Sequence, residues 1–457
     1  MPLAKSFETS AQTPIAPPPA EEHSVPLESH AEIEPPPALK VLADTGLDEG
    51  YLVDLAMKTM YRQSHELVST LCAALCLPNT LVEHLIAVAK DMRLVEPLGQ
   101  LGASFSAEMR YALTQKGKLW ASEALAQSEW VGPCPITLEQ FHAQSARQSI
   151  RKKVLTRQLL EHVFRDLTLH PSLMSKLGPA VNSGASILLY GPPGNGKSSI
   201  AMAACDAFND PVYLPHAIIV DKQVVALFDP TVHAALNAEE QMDQGLRRNG
   251  QAYDPRFVLC ERPRVETGGE LTLEMLDIAY NPVSRVYEAP MQMKASGGVL
   301  VIDDFGRQRQ SPQDIINRLI IPLEKSVDYL SLITGRKFEV PYDALTVFST
   351  NIPPKKLVDD AALRRLRYKI LVGPPDRDTY LTIFVRSAKK FGMPIDESVL
   401  HYVLNELYAK TPEAEFHAFH PRFLMDQTKA ICTYETVTPE LKPEFLNQAW
   451  DNLFTDE

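Results

Sequence analysis

The sequence predicts an α/β protein with a parallel sheet between helical layers, a small α+β domain before it and a helical region after it. From about residue 155, short apolar segments such as 186–191 and 298–306 alternate with longer helical segments such as 197–208. This alternation is typical of βα units on a parallel sheet. The pattern changes along the chain predict four divisions: residues 1–40, 41–145, 146–375 and 376–457.

The first 40 residues are rich in proline, with nine of the 36 prolines and the tracts APPPA and EPPPA. Such a segment buries too little apolar surface to offset the entropy lost on ordering. We predict a disordered tail, and a docking role for the proline tracts is the alternative. The N-terminus lacks the apolar core of a secretory signal, and no apolar run approaches the roughly 20 residues that span a bilayer. This pattern predicts a cytoplasmic protein without membrane contact.

Residues 41–145 predict three helices, a β-hairpin and a closing helix. We expect Ser64 to cap the second helix and Pro78 to open the third. The segments LVEPLG (94–99) and RYALT (110–114) read as two short strands, and helix returns in TQKGKLWASEALAQ. This order resembles a winged-helix domain.

The charge balance argues against a general nucleic-acid binder, because the formal net charge is −12 and binding to phosphates needs basic surface. Between Thr45 and Ala143, seven basic residues stand against eleven acidic ones. For the winged-helix-like domain, binding to a protein is therefore favoured over binding to DNA. The six scattered cysteines show no metal-ligand spacing, which favours free thiols over zinc or disulfides.

A phosphate-binding loop is predicted in ILLYGPPGNGKSS, where an apolar strand precedes the glycines and an amphipathic helix follows. Glycines let backbone N–H groups face phosphates, and the helix N-terminus adds partial positive charge. Lys197 is expected to reach the β- and γ-phosphates, and Ser198 to place its hydroxyl on Mg²⁺. A glycine-rich turn that binds nothing is the alternative. The predicted nucleotide ligands are Gly191, Pro192, Pro193, Gly194, Asn195, Gly196, Lys197, Ser198 and Ser199.

Two further strands end in polar residues that belong at the same sheet edge. VLVIDDFG ends in Asp303, expected to hold Mg²⁺ with Ser198, and Asp304, expected to polarise the attacking water. VFSTN ends in Thr350 and Asn351, whose amide can orient that water. Acids that merely cap the next loop are the alternative for the first strand.

With these motifs in order, residues 150–435 resemble the AAA+ ATPase family. GPPGNGKS looks like its Walker A motif, VLVIDDFG like Walker B and VFSTN like sensor 1. DDAALRRLRYKI looks like the segment that supplies arginine fingers, which makes Arg364 and Arg365 candidates for contact with a terminal phosphate on a neighbouring subunit. HPRFLMDQTKA is similar to the sensor 2 helix, which would make Arg422 a contact to the γ-phosphate within one subunit. The alternatives are ordinary surface arginines and a simple helix start.

The resemblance implies an AAA+ module with a C-terminal helical lid, bound ATP and Mg²⁺, and assembly into a ring or spiral, most often of six subunits. The guanine signature Asn-Lys-x-Asp is absent from the sequence, which favours ATP over GTP. SLITGRKFEVPYD reads as a β-hairpin, similar to the pre-sensor insertion of the MoxR, helicase and unfoldase branches, and an ordinary surface hairpin is the alternative. Within 213–298, MQMKASGG is expected to form a moving contact loop, with core methionines as the alternative.

Three functions are consistent with the sequence. The leading hypothesis is an oligomeric ATPase that remodels an unidentified protein partner. The second is a DNA-associated loader or regulator, and the third is a slow, nucleotide-dependent assembly scaffold. Asp304 bears on the third, because aspartate is one methylene shorter than the glutamate usual at this position, and a displacement of about 1 Å can slow chemistry ~10²-fold. If Asp304 is not the base, Glu261 and Glu324 are the next candidates.

Overall fold

A computed structural model describes residues 33–100, 108–236, 253–411 and 413–454. The predicted disordered tail lies mostly outside the described residues. Where the tail is described, Pro37 forms an isolated β-bridge with Tyr253, and Leu39 is buried among the first helices. Among the described residues no single helix is long and apolar enough to cross a membrane; the helices 68–75 and 79–91 meet the criterion only as a pair, bent by 112°.

The N-terminal region has the predicted order of three helices, a hairpin and a helix. Ser64 differs from expectation: it adopts left-handed backbone with φ of 56° and ends the first helix, while the second begins after Leu67. The antiparallel hairpin runs from the pair Val95–Leu113 to the pair Gln100–Met109. The elements are α1 (Glu49–Gln63), α2 (Val68–Leu75), α3 (Asn79–Asp91), β1 (Val95–Gln100), β2 (Met109–Leu113) and α4 (Gln115–Gln127).

The rest of the described chain alternates strands and helices up to residue 371 and is helical after it. The strands are β3 (Ile136–Thr137), β4 (Ile187–Tyr190), β5 (Val212–Pro215), β6 (Ala217–Val220), β7 (Gln223–Ala226), β8 (Phe257–Cys260), β9 (Arg264–Thr267), β10 (Ala279–Asn281), β11 (Val286–Glu288), β12 (Gly298–Ile302), β13 (Val327–Ser331), β14 (Lys337–Pro341), β15 (Ala344–Thr350) and β16 (Tyr368–Leu371). The helices are α5 (Leu138–Arg147), α6 (Arg157–Val163), α7 (Pro171–Asn182), α8 (Lys197–Asp206), α9 (Met291–Lys294), α10 (Pro312–Lys325), α11 (Pro354–Leu357), α12 (Asp360–Arg365), α13 (Arg377–Phe391), α14 (Glu397–Tyr402), α15 (Tyr408–Lys410), α16 (His420–Tyr434) and α17 (Pro443–Leu453).

The central sheet has five strands in the order β16-β4-β15-β12-β9, and every neighbouring pair is parallel. Successive strand residues face opposite sides, so Val299 and Val301 pack with α6, α7 and α8, while Leu300 and Ile302 pack with α10 and α12. The predicted α/β fold is confirmed: a parallel sheet lies between two helical layers and is followed by a helical region. Its parallel strands bring the ends of β4, β12 and β15 to one edge.

The strand that follows α8 in sequence is not part of this sheet. The apolar segment PVYLP after α8 predicts a second strand of this sheet, but β5 pairs antiparallel with β8. The edge strand beside β12 is instead β9, Arg264–Thr267. β5 is buried along its whole length, which is also typical of a central parallel strand, so its apolar sequence was misleading.

The segment 213–298 contributes most of a second sheet, in the order β10-β11-β7-β6-β3. MQMKASGG does not form the expected contact loop, because Met293 is 1% exposed and packs in the core beneath this sheet. Lys294 pairs with Asp229 at 2.8 Å. The segment is therefore a packed structural unit rather than a moving loop at this point.

The predicted hairpin is confirmed as β13 and β14, paired from Val327–Pro341 to Ser331–Lys337. One face of the hairpin, including Leu330 and Phe338, is buried against the second sheet. At its base, buried Asp328 pairs with Arg318 of α10 at 2.8 Å. The hairpin is thus fixed at its base and along one face.

The helical C-terminal region, α13 to α17, has its own core. Tyr380, Phe384, Leu424 and Trp450 are among its buried members. The six cysteines of the chain are free thiols.

Candidate nucleotide-binding site

The predicted phosphate loop connects β4 to α8 and curls through left-handed glycines. Gly194 and Gly196 have φ of 76° and 83°, values that residues with a Cβ rarely adopt. Gly196 directly precedes α8, whose first residue is Lys197, so free N–H groups of the helix start face the loop. Pro193 and Ser199 are exposed.

Lys197 joins the loop to the end of β15. Its Nζ donates to the carbonyl oxygens of Gly191 at 3.0 Å and Pro192 at 2.9 Å, and to Oδ1 of Asn351 at 2.6 Å. Burial lowers the pKa of Lys197, and the nearby carboxylates of Asp303 and Asp304 partly oppose that shift. Lys197 and Asn351, which belong to separate sequence motifs, therefore meet in one site.

Ser198 joins the loop to the end of β12. Its Oγ donates to Oδ2 of Asp303 at 2.7 Å, and the backbone N–H of Asp303 donates to the carbonyl of Thr267 in β9 at 2.8 Å. A hydroxyl and a carboxylate are oxygen donors of the kind that Mg²⁺ prefers. The pair thus fits a magnesium ion bound together with substrate phosphates.

Asp304 follows in a left-handed backbone conformation, with φ of 46°, and is exposed. It is close enough to Lys197 to influence the pKa of that side chain. Thr350, predicted together with Asn351, has a different role: its Oγ1 donates to the carbonyl of Phe305 at 2.5 Å. Thr350 thus braces the turn that carries Asp304.

The two candidate arginines differ in their surroundings. Arg365 pairs with Glu324 of α10, with Nε 2.9 Å from Oε1, whereas Arg364 is exposed on the same short helix. Within the described residues, neither guanidinium forms a hydrogen bond or ion pair with its own phosphate loop. Of the two alternative candidates for the base, Glu324 is paired with Arg365, and Glu261 is exposed just after β8.

The C-terminal region contacts the loop through residues that the sequence motifs did not indicate. The backbone N–H of Phe419 donates to the carbonyl of Gly194 at 2.9 Å, and that of Ala418 to Oδ1 of Asn195 at 3.2 Å. Arg422 is exposed in the first turn of α16, and within the described residues it has no hydrogen bond or ion pair. The helix start is thus at the site, while the Arg422 side chain is not engaged.

One more residue near the site was missed from sequence: Gln308, a buried glutamine just past the Walker B-like strand. Its amide contacts several backbone groups around Asp303 and Asp304. In the sequence, Gln308 stands between two arginines in GRQRQ, which is a weak signal for a role at the site.

The fold and these contacts bring the predicted phosphate loop, Asp303 and Asn351 together at one edge of the parallel sheet. A family model described as a domain of unknown function (DUF8689) matches residues 376–452, within the helical C-terminal region. No curated protein matches the chain.

Solved structures with partial similarity include NtrX from Brucella abortus in complex with ADP, at 12% identity and a TM-score of 0.39, covering 65% of this chain and 58% of that one. The same protein in complex with ATP has 13% identity and a TM-score of 0.36, covering 74% and 64%. A RuvB variant from Thermotoga maritima has 12% identity and a TM-score of 0.35, covering 68% and 74%. The chain spans less than two thirds of the NtrX chains.

Proposed function

We propose that the protein is a magnesium-dependent ATPase of the AAA+ type. The observation that carries this proposal is the convergence of three chain segments, in which Lys197 contacts Asn351 and Ser198 contacts Asp303. A structural glycine turn has no need for a buried lysine between two strand ends. A phosphate site does, because the lysine offsets phosphate charge.

Each side chain then has a distinct role. The loop N–H groups and Lys197 bind the phosphates, while Ser198 and Asp303 would hold Mg²⁺, which neutralises charge that develops on the phosphates. Asp304 orients and polarises the attacking water, and Asn351 shares this task from β15. Asn351 is held by Lys197 until the phosphates compete for that lysine.

The finer function follows the same proposal. Within the described residues, neither Arg364 nor Arg365 forms a hydrogen bond or ion pair with its own loop, which supports a site completed by a neighbouring subunit in a ring or spiral. ATP-driven movement of such subunits would remodel a protein partner. The acidic N-terminal region favours a protein over DNA, and stimulation of turnover by duplex DNA would favour the loader alternative instead.

The test measures ATP binding and phosphate release by the full chain, with and without Mg²⁺. Lys197→Ala is expected to abolish binding, while Asp304→Asn is expected to bind ATP and release phosphate at least ~10²-fold more slowly. Lys176→Ala, an exposed lysine on α7, is the matched control. Full ATP binding by Lys197→Ala would refute the assigned site, and nucleotide-dependent assembly without phosphate release in the wild type would support the scaffold alternative.

A further inference from the structure

The side-chain amide of Gln308 forms several hydrogen bonds within the turn that follows β12. Gln308 is 9% exposed. Its Oε1 accepts a hydrogen bond from the backbone N–H of Gly306 at 2.8 Å. Its Nε2 donates to the carbonyl oxygens of Gly268 at 3.0 Å and Asp303 at 3.2 Å, with a longer contact to Asp304 at 3.4 Å. An amide has two N–H donors, so the first two contacts use them fully.

These contacts surround a backbone that is not in its relaxed conformation. Asp304 has φ of 46°, and such a conformation persists only where the surroundings determine it. On the far side of the turn, Phe305 N–H donates to the carbonyl of Ser349 at 2.7 Å. Gln308 supplies the near side, where its Nε2 donates to the carbonyl oxygen of Asp303, which belongs to the peptide between Asp303 and Asp304.

Gln308 also connects two neighbouring strands. Gly268 directly follows β9, and Asp303 directly follows β12, so one amide links the ends of adjacent strands at the site edge. The direction in which the Asp304 carboxylate points depends on the orientation of the peptide that precedes it. Removing Gln308 would free that peptide and leave partly buried carbonyls without this donor, which is costly.

We infer that Gln308 is a positioning residue for ATP hydrolysis, which acts by fixing the peptide between Asp303 and Asp304 and, through Gly268, tying it to β9. This inference rests on the proposed ATPase function. ATP binding and ATP hydrolysis should depend on Gln308 differently, because within the described residues Gln308 forms no hydrogen bond with the phosphate loop. ATP binding should therefore survive its loss, while the chemical step should not.

Three variants of the full chain separate positioning from stability. Gln308→Met keeps length and removes both hydrogen-bonding functions. Gln308→Glu keeps an acceptor for Gly306 but replaces the donors with a carboxylate that faces carbonyl oxygens. Gln292→Met is the matched control, since Gln292 is also buried and its amide donates to Leu276 at 2.6 Å and to Asp328 at 2.9 Å.

The measurements are ATP affinity, the single-turnover hydrolysis rate and the urea unfolding midpoint. Both Gln308 variants are expected to slow hydrolysis on the order of 10- to 100-fold and to keep ATP affinity within about threefold. Gln292→Met is expected to lower the unfolding midpoint while keeping the hydrolysis rate within about twofold.

Four outcomes are decisive. Hydrolysis at the wild-type rate in Gln308→Met overturns the inference, and so does full activity in Gln308→Glu, because it would show that the donors are dispensable. An equal rate loss in Gln292→Met would show a general effect of destabilisation and also overturns it. Absence of hydrolysis in the wild type would instead refute the proposed function on which the inference rests.

Discussion

At the scale of single residues, the backbone of Asp304 accounts for the choice of aspartate. With φ of 46°, this position lies in the left-handed region, which aspartate and asparagine tolerate better than other residues with a Cβ. Glutamate lacks the short side chain that can bond locally there. The shorter acid is therefore matched to a turn that the neighbouring strands impose, and it need not indicate a degenerate site.

Replacing this acid by the longer one tests that explanation. Asp304→Glu is expected to lower the free energy of unfolding on the order of 1 kcal/mol, because a less tolerant residue is forced into the left-handed region. It is also expected not to raise the hydrolysis rate. Urea unfolding and single-turnover hydrolysis are the measurements, with Asp304→Asn as the control that keeps the backbone preference and removes the charge. Faster hydrolysis by Asp304→Glu would show that the missing methylene limits the wild-type enzyme.

At the scale of elements, the sequence predicted those helices, strands and loops whose formation is determined by a local residue pattern. The loop, the strand ends at Asp303 and Asn351, and the hairpin each have a local signature, and the parallel sheet then brings them together. β9 was missed because its residues alternate between exposed and buried, and Arg264 and Glu266 make it look like surface. β5 was misplaced because it is buried along its whole length, as a central strand of a parallel sheet would be, although it pairs only with β8.

The contacts that cross between distant segments could not be predicted. Phe419 and Gly194 are separated by more than two hundred residues, and no motif marks Phe419. Gln308 is likewise defined by the carbonyls that happen to surround it. The methionines of MQMKASGG were equally compatible with loop and core, because methionine composition is the same in both, and only the packing decides.

The contact between α16 and the phosphate loop makes a specific prediction. A Cβ on Gly194 would lie 2.2 Å from Cδ1 of Phe419, so Gly194→Ala must push the ring away and loosen the docked segment. We expect ATP affinity to fall about tenfold, from overpacking and backbone strain together. ATP titration of the full chain measures this effect.

The double variant supplies the control for this prediction. Phe419→Ala alone should change ATP affinity by less than about threefold, and adding it to Gly194→Ala should restore part of the loss, because the clash is gone while the strain at φ of 76° remains. Equal losses in the single and double variants would show that the ring contact plays no part in nucleotide binding.

At the scale of the whole molecule, the N-terminal region is joined to the α/β module by a buried cation. Arg256 is 0% exposed and pairs with Asp254 at 2.7 Å. It donates to the carbonyls of Thr45 at 3.0 Å and Pro135 at 3.1 Å. A fully buried arginine with these partners is costly to release, so movement of the module would carry the N-terminal region with it.

The two arginines of α12 differ in how available they are to a neighbouring chain. Arg365 already pairs with Glu324, whereas Arg364 is exposed and has no hydrogen bond or ion pair within the described residues. Of the two, Arg364 is thus better placed to reach a phosphate bound by another subunit. A guanidinium that acts in this way would leave ATP binding intact when it is removed, and turnover per subunit would rise with protein concentration.

Mixing two inactive variants tests the shared site directly. Asp304→Asn removes the proposed base from its own site but leaves Arg364 available to a neighbour, and Arg364→Ala does the reverse. A complete site forms where an Arg364→Ala subunit, which keeps Asp304, receives Arg364 from an adjacent Asp304→Asn subunit. In a random equal mixture about a quarter of the sites meet this condition, so about a quarter of wild-type turnover should be recovered. Arg367→Ala, a nearby exposed arginine, mixed with Asp304→Asn is the control, and the Arg367→Ala variant alone should stay active. Recovery in the first mixture requires that a neighbour supplies Arg364; if the mixture is as inactive as its parts while each variant still assembles with the wild type, the sites work independently and the arginine has no role between subunits.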